Sequence, residues 1–151
     1  MKFICDDNLG RLAKWLRTLG YDTLFYPTIS DEELIKKALD EERVILTRDN
    51  NLIQMKVVQN HLLIKSDQPL EQLKQVVQHL KLKRDEEILF TRCSVCNTEL
   101  KPVEKEKIKE RLYPYVYKTQ DNFVYCSACD KIYWPATHVE HMKQKLKKIL
   151  P

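Results

Sequence analysis

Two C-x2-C pairs constrain this chain more than any other stretch: Cys93 and Cys96 in RCSVCN, and Cys126 and Cys129 in YCSACDK. Each pair lets two sulfurs grip one cation from a tight turn. Two pairs supply the four thiolates of a closed tetrahedral zinc site. The plainer alternative is four cysteines that are free or disulfide-bonded. The residue just after the second Cys of such a knuckle commonly needs positive φ, and Gly is usual there. This chain has Asn97 and Asp130, the non-Gly residues that best tolerate that region. A site closed by four protein ligands is structural, so chemistry has to come from the residues before it.

The chain has 151 residues, enough for one ordinary domain or for a small domain plus a metal-stapled module. Hydrophobic residues make up 43% and charged residues 32%, a soluble globular composition. No run approaches the roughly 20 apolar residues of a membrane span, and MKFICDDNLG does not read as a signal peptide. The metal claims four of the five cysteines, and Cys5 lies in an apolar strand pattern as a small core residue. The expected setting is therefore reducing and cytoplasmic. Charge is uneven: 14 Lys/Arg face 15 Asp/Glu in residues 1–90, whereas 12 face 7 in residues 91–151. The second part stays basic after four thiolates and a zinc remove about two charges. That fits an anionic partner such as nucleic acid, and nearly as well a surface of solubilising lysines.

Periodicity over the first ninety residues predicts a strand at Lys2–Asp6, a helix carrying Leu9, Leu12, Ala13, Leu16 and Leu19, and Gly20 as its C′ residue. A second strand covers Asp22–Tyr26. Ser30 to Glu33 form a capping box that opens a helix with Leu34, Ile35, Ala38 and Leu39 inward. A third strand covers Arg43–Thr47, a weak helical turn follows, a fourth strand covers His61–Lys65, and a helix runs from Pro69 to Leu80. Strands alternating with helices imply an α/β fold with a mainly parallel sheet flanked by helices. The functional crevice of such a sheet lies at the carboxyl ends of its strands. Asp6 and Asp7 end the first strand, Asp49 follows the third, and Asp31 opens the helix between the second and third. These carboxylates converge if strands one and three are neighbours. A cluster of acids is costly unless a cation neutralises it, and hard oxygen donors select Mg²⁺ or Mn²⁺. Taken singly, Asp31 also suits a helix N-terminus and Asp49 a loop cap. Arg11, Lys14 and Arg17 recur every three residues on the first helix, either as a solvated face or as anchors for phosphate.

With Gly10 and Gly20 as its two glycines, the chain has no dinucleotide fingerprint and no P-loop, and G-x-S-x-G is also missing. A phospho-acceptor receiver domain would want a fifth strand with a lysine at its exit, where this chain has the charged stretch after His79.

FICDDNLGRLAKWLRTLGYDT, SDEELIKKA, RVILTRD, TRCSVCNTEL and YCSACDKIYWPATH, in that order, resemble the PIN-like ribonuclease family named for the C-terminal domain of the Mut-seven exonuclease. The resemblance covers nearly the whole chain. It implies a PIN-like nuclease domain over residues 1–85 and a zinc ribbon with a basic tail over residues 86–151. It also implies a metal-dependent RNase whose acids fall on Asp6, Asp31 and Asp49, holding Mg²⁺ or Mn²⁺. Asp67 is the nearest candidate for a fourth acid, and Asp7 stands where the family often has a small or apolar residue. The implied partner is RNA, with no membrane, and PIN-like domains often pair as homodimers.

In the last sixty residues, Glu104–Leu112 suggests a short charged helical insertion, and Tyr115–Thr119 with Phe123–Tyr125 a hairpin around Gln120-Asp121-Asn122. Tyr113, Tyr115, Tyr117, Tyr125, Tyr133 and Trp134 lie among lysines. Such aromatics either stack on unpaired bases or cover the metal of a module with almost no core. His138 and His141 are not needed as zinc ligands. Met142–Leu150 suggests a docked basic helix. The reading is a Mg/Mn-dependent ribonuclease in which Arg11, Lys14, Arg17 and Arg48 contact phosphate and Cys93, Cys96, Cys126 and Cys129 hold structural zinc. Its rivals are a non-cutting RNA- or ribonucleoprotein-binding module and a protein-interaction adaptor.

Overall fold

The computed structural model describes residues 1–135 and 137–150, with the side chains of 137 and 138 outside that description. Strands β1 (Lys2–Cys5), β2 (Asp22–Phe25), β3 (Val44–Thr47) and β4 (His61–Leu63) alternate with helices α1 (Gly10–Thr18), α2 (Asp31–Asp40), α3 (Asn50–Ile53) and α4 (Pro69–Leu80). The four strands form one parallel sheet in the order β2-β1-β3-β4. Side chains alternate across it. Phe3, Cys5, Val44 and Leu46 join Leu12, Ala13 and Leu16 of α1 and Leu73, Val76 and Val77 of α4. Ile4 and Ile45 face the other way, onto Leu34, Ile35 and Ala38 of α2. Both faces are covered, which is why the strands read as unbroken apolar runs. Each fully buried Leu or Ile stabilises the sheet by about 2 kcal/mol.

The helix ends follow local chemistry. Ser30 Oγ accepts the Glu33 N–H at 3.2 Å and caps α2. Gly20 has φ +97, and a Cβ there would lie 2.1 Å from the Ile88 carbonyl oxygen. Phe90 N–H donates to the Thr18 carbonyl at 2.9 Å. Leu89 joins the core beneath α1 and α4, as do Leu146 and Leu150. Packing therefore crosses the division at residues 85 and 86.

The remaining chain forms a second, antiparallel sheet in the order β5 (Lys101–Val103), β6 (Phe123–Cys126), β7 (Lys131–Tyr133). The hairpin expected around residues 120–122 does not form. Residues 115–119 belong to helix α5 (Pro114–Thr119), which Pro114 starts at its first turn and whose Tyr117 N–H donates to the Tyr113 carbonyl at 3.0 Å. The insertion at 104–112 is two short 3₁₀ turns, Lys105–Lys107 and Lys109–Arg111, rather than one helix. Ile108 alone is buried there, so no apolar stripe supports a longer element. Helix α6 (Thr137–Ile149) docks through Leu146, leaving Lys145, Lys147 and Lys148 exposed.

The two sheets meet along β2, an edge strand. Thr23 donates its N–H to Asn97 Oδ1 at 2.9 Å and accepts Arg17 Nε on its carbonyl at 2.9 Å. Arg17 Nη1 also reaches the carbonyls of Ser94 (3.0 Å) and Val95 (3.1 Å) inside the first knuckle. Asn97 Nδ2 donates to Asp22 Oδ1 at 2.7 Å, and Arg43 Nη1 donates to the same oxygen at 2.8 Å. Arg17 is 5% exposed. It is therefore not the surface phosphate contact expected from its place in the basic stripe, since its guanidinium is committed to backbone carbonyls.

Burial raises the Asp22 carboxyl, but hydrogen bonds from Arg43 and Asn97 and the charges of Arg43 and Arg92 hold it below the ordinary 3.8. A depressed carboxyl contributes stability that is present above the unfolded value and lost as pH falls through the folded one. Asp22→Asn is expected to cost about 2 kcal/mol at neutral pH. Thermal melts across pH should show the gap to wild type closing below about pH 4.

Candidate active site and metal centre

Strand order reverses between β1 and β3, which are hydrogen-bonded neighbours. A doubly wound sheet opens its crevice at such a switch point, beyond the carboxyl ends of the strands. Asp6 follows β1 directly, Asp49 follows β3, and Asp31 is the first residue of α2, which links β2 to β3. Asp6 N–H donates to the Leu46 carbonyl at 2.9 Å, which fixes this strand exit against β3.

Thr47 ties two of the acids together. Its buried hydroxyl donates to Asp6 Oδ2 at 2.7 Å and accepts the Asp49 N–H at 3.0 Å. Asp6 Oδ1 accepts the Asp7 N–H at 2.8 Å, and Asp49 Oδ1 caps α3 through the Asn51 N–H at 2.9 Å. Asp31 is exposed, yet its carboxyl is pushed above the usual aspartate value, first by what burial it has and then by the charges of Asp6, Asp49 and Asp7. The charges felt at Asp31 thus include Asp7 rather than Asp67, whose carboxylate accepts Gln68 Nε2 at 3.1 Å. Thr47 escapes a sequence reading aimed at charged groups. The available signal was a hydroxyl at the last position of an apolar strand, just before Arg48 and Asp49.

Arg11 and Lys14 are exposed on α1, and Arg48 is exposed between Thr47 and Asp49. Among the described residues none of the three forms an ion pair.

Cys93, Cys96, Cys126 and Cys129 are, among the described residues, the one group of three or more ligating side chains whose donor atoms all lie within 4.8 Å of one another. The Cys96–Cys126 sulfurs are 3.4 Å apart and the Cys93–Cys129 sulfurs 4.0 Å. These values bracket the ~3.8 Å edge of a tetrahedron with metal–sulfur bonds of about 2.3 Å. All four are free thiols. Burial raises the Cys96 thiol, but hydrogen bonding with Thr98 and with its neighbouring thiols outweighs this and brings it down to about 6. Asn97 and Asp130 take φ 74 and φ 54, as their places after the second Cys of each knuckle predict. Tyr133 Oη lies 3.3 Å from Cys93 Sγ, and Phe123 packs on Trp134 with ring centres 6.0 Å apart. The quartet fits a metal such as zinc. The Asp cluster fits a hard cation in donor chemistry and charge, though more loosely in space. The His138 side chain lies outside the described residues, and His141 is exposed.

A parallel sheet with acids gathered at its switch point, followed by an antiparallel module whose four thiols can hold a metal, defines a two-part α/β protein. Residues 1–146 match the family described as the Mut7-C RNAse domain, and the chain belongs to that family. Membership points to a nuclease-like function. Comparisons with curated proteins and with solved structures return no match. No helix among the described residues is long and apolar enough to cross a membrane.

Zinc added to the reduced, metal-free protein is expected to bind with a stoichiometry of one per chain and to raise the melting temperature. Cys96→Ser and Cys126→Ser should each abolish both effects, read by metal analysis and thermal melts.

Proposed function

We propose that the protein is a metal-dependent ribonuclease that hydrolyses phosphodiester bonds of RNA. Zinc is the structural ion at the four cysteines, and Asp6, Asp31 and Asp49 are the residues that would hold Mg²⁺ or Mn²⁺. The observation that carries this reading is the Thr47 hydroxyl at the β1/β3 switch point, which bonds Asp6 Oδ2 at 2.7 Å and the Asp49 N–H at 3.0 Å and so ties the two strand-exit acids to one edge of the sheet. Like charges at neighbouring strand exits repel one another, and hard oxygen donors select these cations. When bound, such an ion supplies a Lewis acid for the phosphate and an acidified water.

The chain's own residues divide the remaining work. Thr47 orients Asp6 through its hydroxyl and fixes the Asp49 backbone. Arg11, Lys14 and Arg48 are free to hold phosphate oxygens beside the acids, where they set the register of the strand without reading its sequence. The excess of Lys/Arg in residues 91–151 gives the cysteine module a surface that assists RNA binding. Free thiols in all five cysteines suit a reducing, cytoplasmic setting.

Zinc-loaded protein with Mn²⁺ is expected to cleave labelled single-stranded RNA, and the Asp6→Asn/Asp49→Asn variant to leave it intact. RNA that the wild type binds but does not cut would sink the catalytic reading in favour of a binding module. Thr47→Val should cost roughly tenfold in activity or Mn²⁺ affinity, as lost supporting hydrogen bonds do elsewhere. Arg11→Ala, Lys14→Ala and Arg48→Ala should each lower the salt slope of RNA binding by about one without moving the melting temperature. Arg17→Leu should do the reverse.

A further inference from the structure

The aromatic residues of the cysteine module fall into two groups. Tyr133 lies against Cys93, Phe123 packs on Trp134, and Tyr125 Oη donates to Asp130 Oδ1 at 2.8 Å. The Tyr117 ring carries Lys105 Nζ at 4.8 Å and Lys109 Nζ at 5.3 Å. These rings cover the metal site or hold the module together. Tyr113 and Tyr115 do neither: they are 80% and 76% exposed, the most exposed large apolar side chains in the described chain. They flank Pro114, which fixes the backbone between them at the start of α5. Both rings therefore project from the proline-fixed start of a helix rather than from an irregular loop.

Their surroundings are basic. Residues 101–119 hold six Lys/Arg against three Glu. Arg111 is fixed by its bonds to Asp130 at 3.0 Å and 2.8 Å. Lys105 pairs with Asp121, and Lys107 with Glu104, while Lys109 and Lys118 make no ion pair among the described residues. Two solvent-facing rings, with Lys118 one helical turn from Tyr115 and Lys109 over the neighbouring Tyr117 ring, match a ligand that offers flat π-faces and a chain of negative charge. Unpaired nucleic acid offers both, whereas the bases of a duplex are stacked and hidden.

We infer that Tyr113 and Tyr115, with Lys109 and Lys118, form a stacking platform for single-stranded RNA, separate from the acids at the switch point. The inference rests on the ribonuclease reading for its choice of RNA, but binding and cleavage are measured apart. The experiment uses the full, zinc-loaded chain carrying Asp6→Asn/Asp49→Asn, so that RNA is not consumed, and reads anisotropy of a labelled oligouridylate and of an RNA duplex. Tyr113→Ala and Tyr115→Ala are each expected to weaken oligouridylate binding about tenfold, with duplex binding, zinc content and melting temperature unchanged. Tyr113→Phe/Tyr115→Phe should bind as the parent does, because the π-faces remain. Lys109→Ala/Lys118→Ala should lower the salt slope by about 1.4.

Oligouridylate binding that survives loss of both tyrosines overturns the platform. So does equal weakening of duplex and single strand, or full displacement of the RNA by polyglutamate with no tyrosine dependence, which would mark a surface that reads charge alone. If the platform holds while the wild type fails to cut RNA with Mn²⁺, the catalytic reading fails and the stacking surface stands.

Discussion

One buried polar chain, Arg17–Thr23–Asn97–Asp22–Arg43, determines how the two sheets are joined. β2 is an edge strand, and an edge offers unpaired backbone groups that must be covered. Among the described residues no strand covers this edge at Thr23; side chains do, with Asn97 taking the N–H and Arg17 the carbonyl. Arg17 and Arg43 are each 5% exposed, and both have well-placed oxygen partners. A fully satisfied network of this kind specifies one arrangement, and a half-satisfied one would be costly in the same low-dielectric setting. Leu89, Leu146 and Leu150 add apolar contacts from the same part of the chain to the core that α1 and α4 share.

The junction also separates two kinds of charge. Asp22 pairs in register with Lys2, at the opposite end of β1 from Asp6. At about 3.3 Å per residue, the Asp22 end of the junction and the Asp6 strand exit are thus roughly 13 Å apart along the strands. Of the buried charges at the amino-terminal end, Arg43 is paired with Asp22 and Glu41, and Arg17 is held by backbone carbonyls. The acids at the carboxyl end are exposed or half-buried, and their mutual repulsion is tolerated through water, the Thr47 hydroxyl and the Asp7 and Asn51 N–H groups. Helix α1 touches both ends. It begins just after Asp6 and Asp7, presents Arg11 and Lys14 to solvent, and closes with Arg17 in the junction.

Much of the first sheet is legible in the sequence, because strands buried on both faces and helices buried on one carry the strongest periodic signals. The acids were legible as strand exits, but that Asp6 and Asp49 leave neighbouring strands was not, since it depends on β1 pairing with β3. Arg17 misleads for a geometric reason. A step of three residues lags a 3.6-residue turn by 60°, so Arg17 sits 120° around the helix from Arg11. What looks like one basic stripe has rotated into the interface by its third member. Tyr115–Thr119 misleads because β-favouring Tyr, Val and Thr outvote Pro114 in a local reading, whereas the fold uses that Pro to start a helix. Neither Thr47 nor the junction leaves a periodic trace, since each depends on partners far along the chain.

The knuckle residues show how local and long-range demands meet in single positions. At φ 74 a Gly in place of Asn97 would relieve the backbone, a benefit on the order of 1 kcal/mol for a non-Gly residue and smaller for Asn. The Asn97 amide, however, makes two hydrogen bonds, a buried one from the Thr23 N–H and a part-buried one to the Asp22 carboxylate. Bonds of that kind contribute about 1 to 3 kcal/mol each, so the amide outweighs the strain. Asp130, at φ 54, answers the same way in the second knuckle, where its carboxylate accepts from Arg111 and Tyr125. The turn that aims two thiols at a metal therefore also aims a polar side chain away from it. Asn97 thereby joins the first knuckle to Asp22 and Thr23 of β2, in the same sheet whose opposite end carries the acids.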